Sequence, residues 1–219
     1  MPARLLLLSD GRFPGGGHVH SGGLEAAVAA GRVEDVCTLG QFLSGRLGTA
    51  GLCAAGLAAA ACTGRHGWRT LDAEADARTP SPAQRAASRK QGRALVRVAA
   101  RAWPGEVLRS LCEQVPQPHH PVALGAAAAA AELGAQDAAL ASAYSSVAGP
   151  ASAAVRLLGL DPLAVAALLA TLGPRIDAIA SQAFAASRGP LRALPSQTAP
   201  LLEIDAELHA SWEVRLFAS

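Results

Sequence analysis

The sequence predicts an all-α fold, organised as a single-domain bundle of many helices. Alanine, the strongest helix former, fills nearly a quarter of the 219 positions. Aromatic residues, which favour strands, make up only 4% of the chain. We find no fixed-period repeat and no break long enough to be an interdomain linker. One helical domain over residues 1–219 is therefore expected.

Polar caps and glycine or proline stops mark the helices of the first half. His20-Ser21 and Gly31 bound the first helix, and Pro80-Ser81-Pro82 precedes the third. Gly48 and Gly51 are expected to loosen or bend the second. The predicted helices are 24–30, 38–63, 83–103 and 106–114.

Proline-containing breaks divide the second half in the same way. The stretch 116–121 is rich in proline, and Asp161-Pro162 has the pattern of a capped helix start. Gly149-Pro150 is expected to end one helix, and Gly173-Pro174 is expected to separate two others. The predicted helices are 122–133, 136–148, 163–172, 175–187 and 201–212.

Composition excludes several classes of protein. The net charge is +2 and only 16% of residues are charged, which argues against disorder and gives no whole-molecule attraction to nucleic acid or anionic membranes. No segment has the apolar length expected of a membrane span or a signal peptide, so the sequence predicts a cytoplasmic protein without membrane association. Alanine-rich helix faces bury little area per residue, and we expect oligomerisation to add burial.

Enzyme motifs are not found, and the metal-binding pattern is weak. Residues 15–23 form a glycine-rich loop without a phosphate-binding lysine, so a tight turn is favoured. His18 and His20 are candidates only for transient metal contact, with no closed site. The four cysteines lack CxxC spacing and are expected to be small buried residues. Acidic residues alternate over 72–76, typical of a solvated turn or helix start.

A basic ridge recurs every four residues on the predicted helix 83–103. Arg85, Arg89, Arg93, Arg97 and Arg101 compose it, with Lys90 beside them. A solvated helix face is the favoured interpretation. The functional alternative is a protein-interaction module that docks an acidic surface, tested at Arg89 and Arg93. A nucleic-acid-binding module is less favoured, because aromatic residues are not interleaved with the arginines.

The end of the chain is unusually apolar. Trp212, Val214, Leu216 and Phe217 lie close to residue 219, where most chain ends are polar and frayed. Either the tail packs back on the domain or it is kept for a partner. Both readings stay open at this point.

Both ends of the chain carry a distinctive set of residues. The N-terminal set is Ser9-Asp10, Pro14, Gly16-Gly17, Ser21 and Gly23-Leu24-Glu25, and the C-terminal set is His209 and Arg215 through Ser219. In this order they resemble the UreF family of urease accessory proteins. Segments 76–80, 85–92, 121–125 and 156–162 resemble actinobacterial members in the same order. Gly11 and His18 depart from the family pattern, where a second serine and a phenylalanine are common.

The resemblance implies an all-α homodimer that assembles the nickel centre of urease and is not itself an enzyme. Its partners would be UreD (also called UreH), the GTPase UreG and apo-urease. Nickel would pass through in transit, GTP would be bound by UreG, and no cofactor would be held tightly. The tail 211–219 would engage UreD, and the N-terminal segment 1–20 would contribute to the UreG-facing surface. The expected partner-binding residues are Asp10, Pro14, Gly16, Gly17, Ser21, Gly23, Glu25, Arg89, Arg93, His209, Arg215, Leu216 and Phe217.

Overall fold

The computed structural model describes residues 2–219, which form α-helices joined by short turns, with no strand in that range. The predicted all-α, single-domain bundle is confirmed. The helices are α1 (Ala3–Ser9), α2 (Leu24–Ala29), α3 (Val36–Arg46), α4 (Leu52–Cys62), α5 (Trp68–Ala77), α6 (Pro82–Ala102), α7 (Glu106–Gln114), α8 (His120–Ala130), α9 (Ala135–Leu158), α10 (Pro162–Ser187) and α11 (Pro200–Ala210).

Helices α4 and α9 lie in the middle of the bundle. Helix α4 packs against α8, α9 and α10, and nearly all of its side chains are buried. One apolar cluster fills the space between α4 and the layer of α5 to α8, and a second joins α2, α3, α9 and α10 to the other side of α4. Short loops return the chain so that α2 and α11, from opposite ends of the sequence, lie side by side.

Small residues let the central helices approach very closely. A Cβ added at Gly125 of α8 would clash with the Ala58 carbonyl oxygen of α4 and lie 2.6 Å from the Ala61 Cβ. Interiors are packed to crystal-like density, so the backbones can meet only where a side chain is missing. The alanine-rich composition therefore sets the spacing of the core.

The predicted stop at Gly149-Pro150 is wrong, because α9 continues through Pro150 to Leu158. A helical proline cannot donate to the carbonyl four residues earlier, which here is that of Ser146. Arg46 supplies the missing donor, since its Nε lies 2.9 Å from the Ser146 carbonyl oxygen. The helix thus survives its proline with the help of a side chain 100 residues away.

The predicted break at Gly173-Pro174 is also wrong. Helix α10 runs unbroken from Pro162 to Ser187. Pro174 and Ala170, whose carbonyl loses its helical partner, are both exposed, so water can serve that carbonyl.

The expected bend near Gly48 and Gly51 is a single π-helical turn, Leu47–Gly51, between α3 and α4. A Cβ on Gly51 would lie 2.7 Å from the Ser146 hydroxyl of α9, so the turn sits directly against that helix. The acidic stretch 72–76 was predicted to be a solvated turn or helix start. It instead lies inside α5, and Asp72 is buried.

Two helical stretches are long and apolar enough to cross a membrane by length and composition, Val36–Cys62 and Pro162–Ser187. The first is mostly buried in the protein core, as core helices of this composition usually are. The second stretch is α10, which packs mainly against α4 and α9. Its most apolar window is 28% buried. The expectation that no segment would have this apolar length is therefore corrected for both stretches.

The cysteines are only partly as expected. Cys53 is buried and Cys62 is half-buried, but Cys37 and Cys112 are exposed. Burial raises the pKa of the Cys62 thiol to about 11, so it is a protonated packing residue at neutral pH.

Candidate partner-binding site

The two ends of the chain meet around a single buried carboxylate. Glu25 lies in the first turn of α2, and its side chain is only 7% exposed. It accepts hydrogen bonds from His209 Nε2 of α11 at 2.8 Å and from the backbone N–H groups of Leu216 and Phe217 at 2.8 and 3.0 Å. One side chain near the start of the sequence therefore holds both α11 and the tail.

The turn before α2 places Glu25 in this position. Gly22 and Gly23 have φ values of 64° and 91°, a region that other residues rarely adopt. The Ser21 hydroxyl then accepts from the Glu25 N–H at 3.2 Å and caps the short helix. A Cβ on Gly23 would lie 3.1 Å from Leu202, so the turn also lets α11 pack close to α2.

The last residues run beside the residues that precede this turn. The Ser219 carbonyl accepts from both the N–H and the hydroxyl of Ser21, at 2.6 and 2.8 Å. The Ser219 hydroxyl bonds to His20 Nδ1 at 2.6 Å, and the Ala218 N–H donates to the Val19 carbonyl at 2.7 Å. The tail therefore packs back on the domain, the first of the two readings left open by the sequence.

Phe217 is buried, whereas the four residues before it are exposed. Phe217 is 5% exposed, and the Arg156 guanidinium lies 4.4 Å from its ring centre, a cation–π contact. Arg156 also donates to the His18 carbonyl at 2.9 Å, which ties the tail, α9 and the N-terminal segment together. Val214 and Leu216, by contrast, are 84% and 76% exposed.

Helix α11, which leads into the tail, also exposes apolar side chains. Leu201, Ile204 and Leu208 are each more than half exposed and follow the three- and four-residue spacing of one helix face. A neighbouring side of α11 is held to the domain by the ion pair of Asp205 with Arg32. We call Leu201, Ile204, Leu208, Val214 and Leu216 the tail face.

The electrostatics favour the joined ends at neutral pH. Burial alone would raise the pKa of Glu25, but the hydrogen bonds from Leu216, His209 and Phe217 outweigh it and hold that pKa below its ordinary value. Burial, reinforced by the nearby His120, lowers the pKa of His20 to about 4. Glu25 is therefore charged and His20 neutral when they contact the tail.

Six of the expected partner-binding residues meet in this region. They are Ser21, Gly23, Glu25, His209, Leu216 and Phe217. Arg215 is exposed beside them and lines a cavity of about 230 Å³ that also borders Gly22, Arg46 and His120. The sequence around Glu25 does not reveal that this residue is a buried hydrogen-bond acceptor. The six residues could therefore be predicted as partner-binding only through the family resemblance.

The other expected residues lie along the N-terminal segment and α6. Asp10 binds Arg12 at the surface, with an Nη2–Oδ2 distance of 2.9 Å. Gly16 lies against α6, where a Cβ would be 3.3 Å from the Ala94 Cβ. Four others remain: Pro14, Gly17 and Arg93 are exposed, and Arg89 belongs to the cluster described next. His18 is exposed and His20 is engaged by Ser219, so the structure does not bring them together as a ligand pair.

A second cluster was missed by sequence reasoning. Asp72, Asp76 and His119 place three potential metal-ligand atoms within 4.8 Å of one another. The Arg89 guanidinium already bridges the two carboxylates, at 2.8 Å from Asp72 Oδ2 and 2.7 Å from Asp76 Oδ2. His119 Nε2 donates to Asp76 at 2.8 Å. Arg85 Nε lies 3.9 Å from Asp76 Oδ1, so two guanidinium groups face the two carboxylates, and the donor set does not call for a metal ion.

This cluster corrects the prediction for the basic ridge. Arg89 is half-buried and also donates to the Gln117 carbonyl at 2.7 Å, so it clamps α5, α6 and the loop before α8. Arg85 likewise bonds the carbonyls of Thr79 and Pro80. Neither lies on a solvated face, whereas Arg93, Arg97 and Arg101 remain exposed.

Comparison with known proteins gives matches to one family along nearly the whole chain. The UreF family profile matches residues 33–173. A urease accessory protein UreF from Mycolicibacterium vanbaalenii is 46% identical, over 99% of this chain and 98% of the relative. Proteins of the same name from Mycobacterium sp. (strain JLS) and Mycobacterium tuberculosis are 46% and 42% identical, each over at least 97% of both chains. The chain therefore belongs to the UreF family of urease accessory proteins.

Proposed function

We propose that this chain is a non-catalytic scaffold in the assembly of the urease nickel centre. In this role it links UreD (UreH) to the GTPase UreG, regulates GTP use by UreG and helps nickel pass into apo-urease. The observation that carries the proposal is the pair of joined chain ends, which presents exposed apolar side chains from a firmly anchored backbone. Family membership supports the choice of process.

The tail face is the proposed contact for UreD. Apolar side chains gathered in one patch are typical of protein interfaces, and single scattered ones are not. Glu25 and Ser21 hold the tail backbone at Leu216 and Ser219, so little ordering entropy remains to be lost on binding. Arg215 at the edge of the patch suits the polar rim of such an interface.

The N-terminal segment is the proposed contribution to the UreG-facing surface. Its end, residues 18–21, is bound to the tail and to Arg156. A partner seated on either end therefore touches a structure that both ends share. This arrangement suits a protein that must hold two partners at once.

The exposed face of α10 is the proposed homodimer contact. Ala166, Ala170 and Ala178 are exposed on it, and Leu163 is 78% exposed at its start. A long helix face of small apolar residues can pack closely against a second copy of itself, and closed two-fold dimers are the commonest oligomers. We place the resulting complex in the cytoplasm.

Nickel is proposed to be cargo in transit, with no tightly bound cofactor in this chain and GTP bound by UreG. The matched Asp72–Asp76–Arg89–His119 cluster supports this proposal, because its ligand atoms are already engaged by a cation and a hydrogen bond. His18 and His20 are left as candidates for brief contact only.

The test compares two double variants in a binding assay with purified UreD and UreG. Val214→Ser with Leu216→Ser should weaken UreD binding roughly ten-fold or more, since about 1.5–3 kcal/mol is the transfer free energy of one large aliphatic side chain. Tyr144→Ser with Ala77→Ser, at exposed positions of α9 and α5 away from both chain ends, should leave UreD binding unchanged. A parent chain that binds neither UreD nor UreG would refute the proposed function.

A further inference from the structure

One side of α6 carries four cations that have no acidic partner. Lys90, Arg93, Arg97 and Arg101 are exposed, and none of them lies within 4 Å of a carboxylate in residues 2–219. Arg85 and Arg89, on the same helix, are engaged as described. The helix therefore divides its basic residues into a structural set and a free set.

Helix geometry explains the division. With about 100° per residue, the four free cations fall within an arc of about 80°, and the two engaged arginines lie to one side of it. Along the axis the free set spans about 16 Å, at 1.5 Å per residue. We call Lys90, Arg93, Arg97 and Arg101 the basic strip.

Neighbouring elements do not neutralise the strip. The sequence has no Asp or Glu between residues 77 and 105. At the start of α6, Glu207 of α11 is used by Ser81 and the Ala83 N–H, and beyond its end Glu106 pairs with Arg109. Four uncompensated like charges on a chain of net charge +2 produce a local positive field that can steer and orient an acidic partner.

The strip borders the N-terminal segment. A Cβ on Gly15 would lie 3.2 Å from Leu95, one on Gly16 would lie 3.3 Å from Ala94, and Phe13 stacks on Trp103 with ring centres 5.6 Å apart. Residues 13–16 therefore lie along the same helix as the strip. A partner that contacts one would meet the other.

We propose that the basic strip is the docking surface for an acidic face of a protein partner in the urease-maturation complex. This inference rests on the proposed function and adds a second contact, separate from the tail face. A protein is favoured over nucleic acid because the nearby rings of Phe13 and Trp103 stack on each other and are not free for bases. The short strip also offers few phosphate contacts.

The experiment measures binding of purified UreG, UreD and apo-urease to three variants. Arg93→Glu with Arg97→Glu and Arg101→Glu should lower affinity for one partner at least ten-fold and flatten the salt dependence of that binding. The same three positions changed to Lys should keep affinity within about three-fold, because charge and not guanidinium geometry is required. The matched control is Arg65→Glu with Arg188→Glu and Arg192→Glu, which makes an equal charge change at exposed positions elsewhere.

Each other outcome contradicts the proposal in a different way. If the parent binds its partners and the strip variant binds all of them equally well, the proposal for the basic strip is refuted and the proposed scaffold function is supported. If the parent binds none of the three proteins, the strip proposal and the scaffold function are both refuted. If a 20-base-pair DNA or RNA duplex binds the parent in the nanomolar range with a steep salt dependence, and the strip variant loses it, the partner is a nucleic acid and the proposal is wrong.

Discussion

Glu25 illustrates how much one residue can do when its carboxylate is buried. Its two oxygens accept three hydrogen bonds, and all three donors come from residues 209–217. Hydrogen bonds to an ionised acceptor are stronger than neutral ones, and the donors would be left unpaired in its absence. The position of the tail therefore depends on the charge of a residue near the opposite end.

Replacing Glu25 by Gln tests this dependence. The amide has only one acceptor oxygen and turns its own N–H groups toward donors, so we expect a loss of about 1–3 kcal/mol in the free energy of unfolding. Hydrogen exchange at Leu216 and Phe217 should accelerate, because their N–H groups lose their acceptor. Glu213→Gln, at an exposed position in the same tail, should change neither quantity.

Acid should lower the free energy of unfolding, because two histidines are held neutral in the folded chain. Burial lowers the pKa of His20 and of His120 to about 4 from an ordinary value of 6.5. Between those values the unfolded chain binds protons that the folded chain does not, so stability decreases as the pH falls from about 6.5 to about 4. Urea unfolding measured across this range should show the decline, and His20→Gln should reduce its slope. The same slope in His20→Gln and in the exposed His18→Gln would contradict the assignment.

At the scale of elements, two prolines show what helix signals can and cannot predict. Most helices could be placed from caps, glycines and periodicity, with ends within a few residues. The continuity of α9 through Pro150 could not be predicted, because it depends on a hydrogen bond from Arg46, in a distant helix, to the Ser146 carbonyl. Likewise the Arg89 cluster unites Asp72 and His119, which are 47 residues apart, so local spacing gave no sign of it.

The close crossing of α4 and α8 predicts a sharp contrast between two helical glycines. Gly125→Ala places a methyl group against the Ala58 carbonyl, and we expect about 1–3 kcal/mol of destabilisation from overpacking. Gly149→Ala, in α9, meets nothing within 4 Å and should stabilise by up to about 1 kcal/mol through helix propensity. Thermal or urea unfolding of the two variants checks the difference. Equal effects would show that the crossing tolerates a side chain.

At the scale of the whole molecule, composition predicted the fold class, and the ordered resemblance predicted the family. The meeting of the chain ends was not predicted, since hydrogen bonds between residues 184 to 192 positions apart leave no pattern in the sequence. The tail was apolar for two reasons that composition could not separate: Phe217 fills the core, and Leu216 faces outward.

The exposed face of α10 leads to a prediction about assembly. Ala170→Arg with Ala178→Arg puts two charges into the proposed dimer contact and should convert a dimer to a monomer in sedimentation-velocity experiments. Ala29→Arg, at an exposed position at the end of α2, should leave the sedimentation coefficient unchanged. A parent chain that remains monomeric at high concentration would remove α10 from the dimer interface.

The contact between Glu25 and the tail also bears on how the protein is made. Ribosomes release the N-terminal part of a chain first, and domains begin to fold as they emerge. Glu25 must wait for a main-chain donor 191 residues further along the chain. Until Leu216 has been added, its carboxylate lacks two of its three partners. The joined ends can therefore form only after Leu216 and Phe217 have been synthesised, so this contact closes late in the folding of the domain.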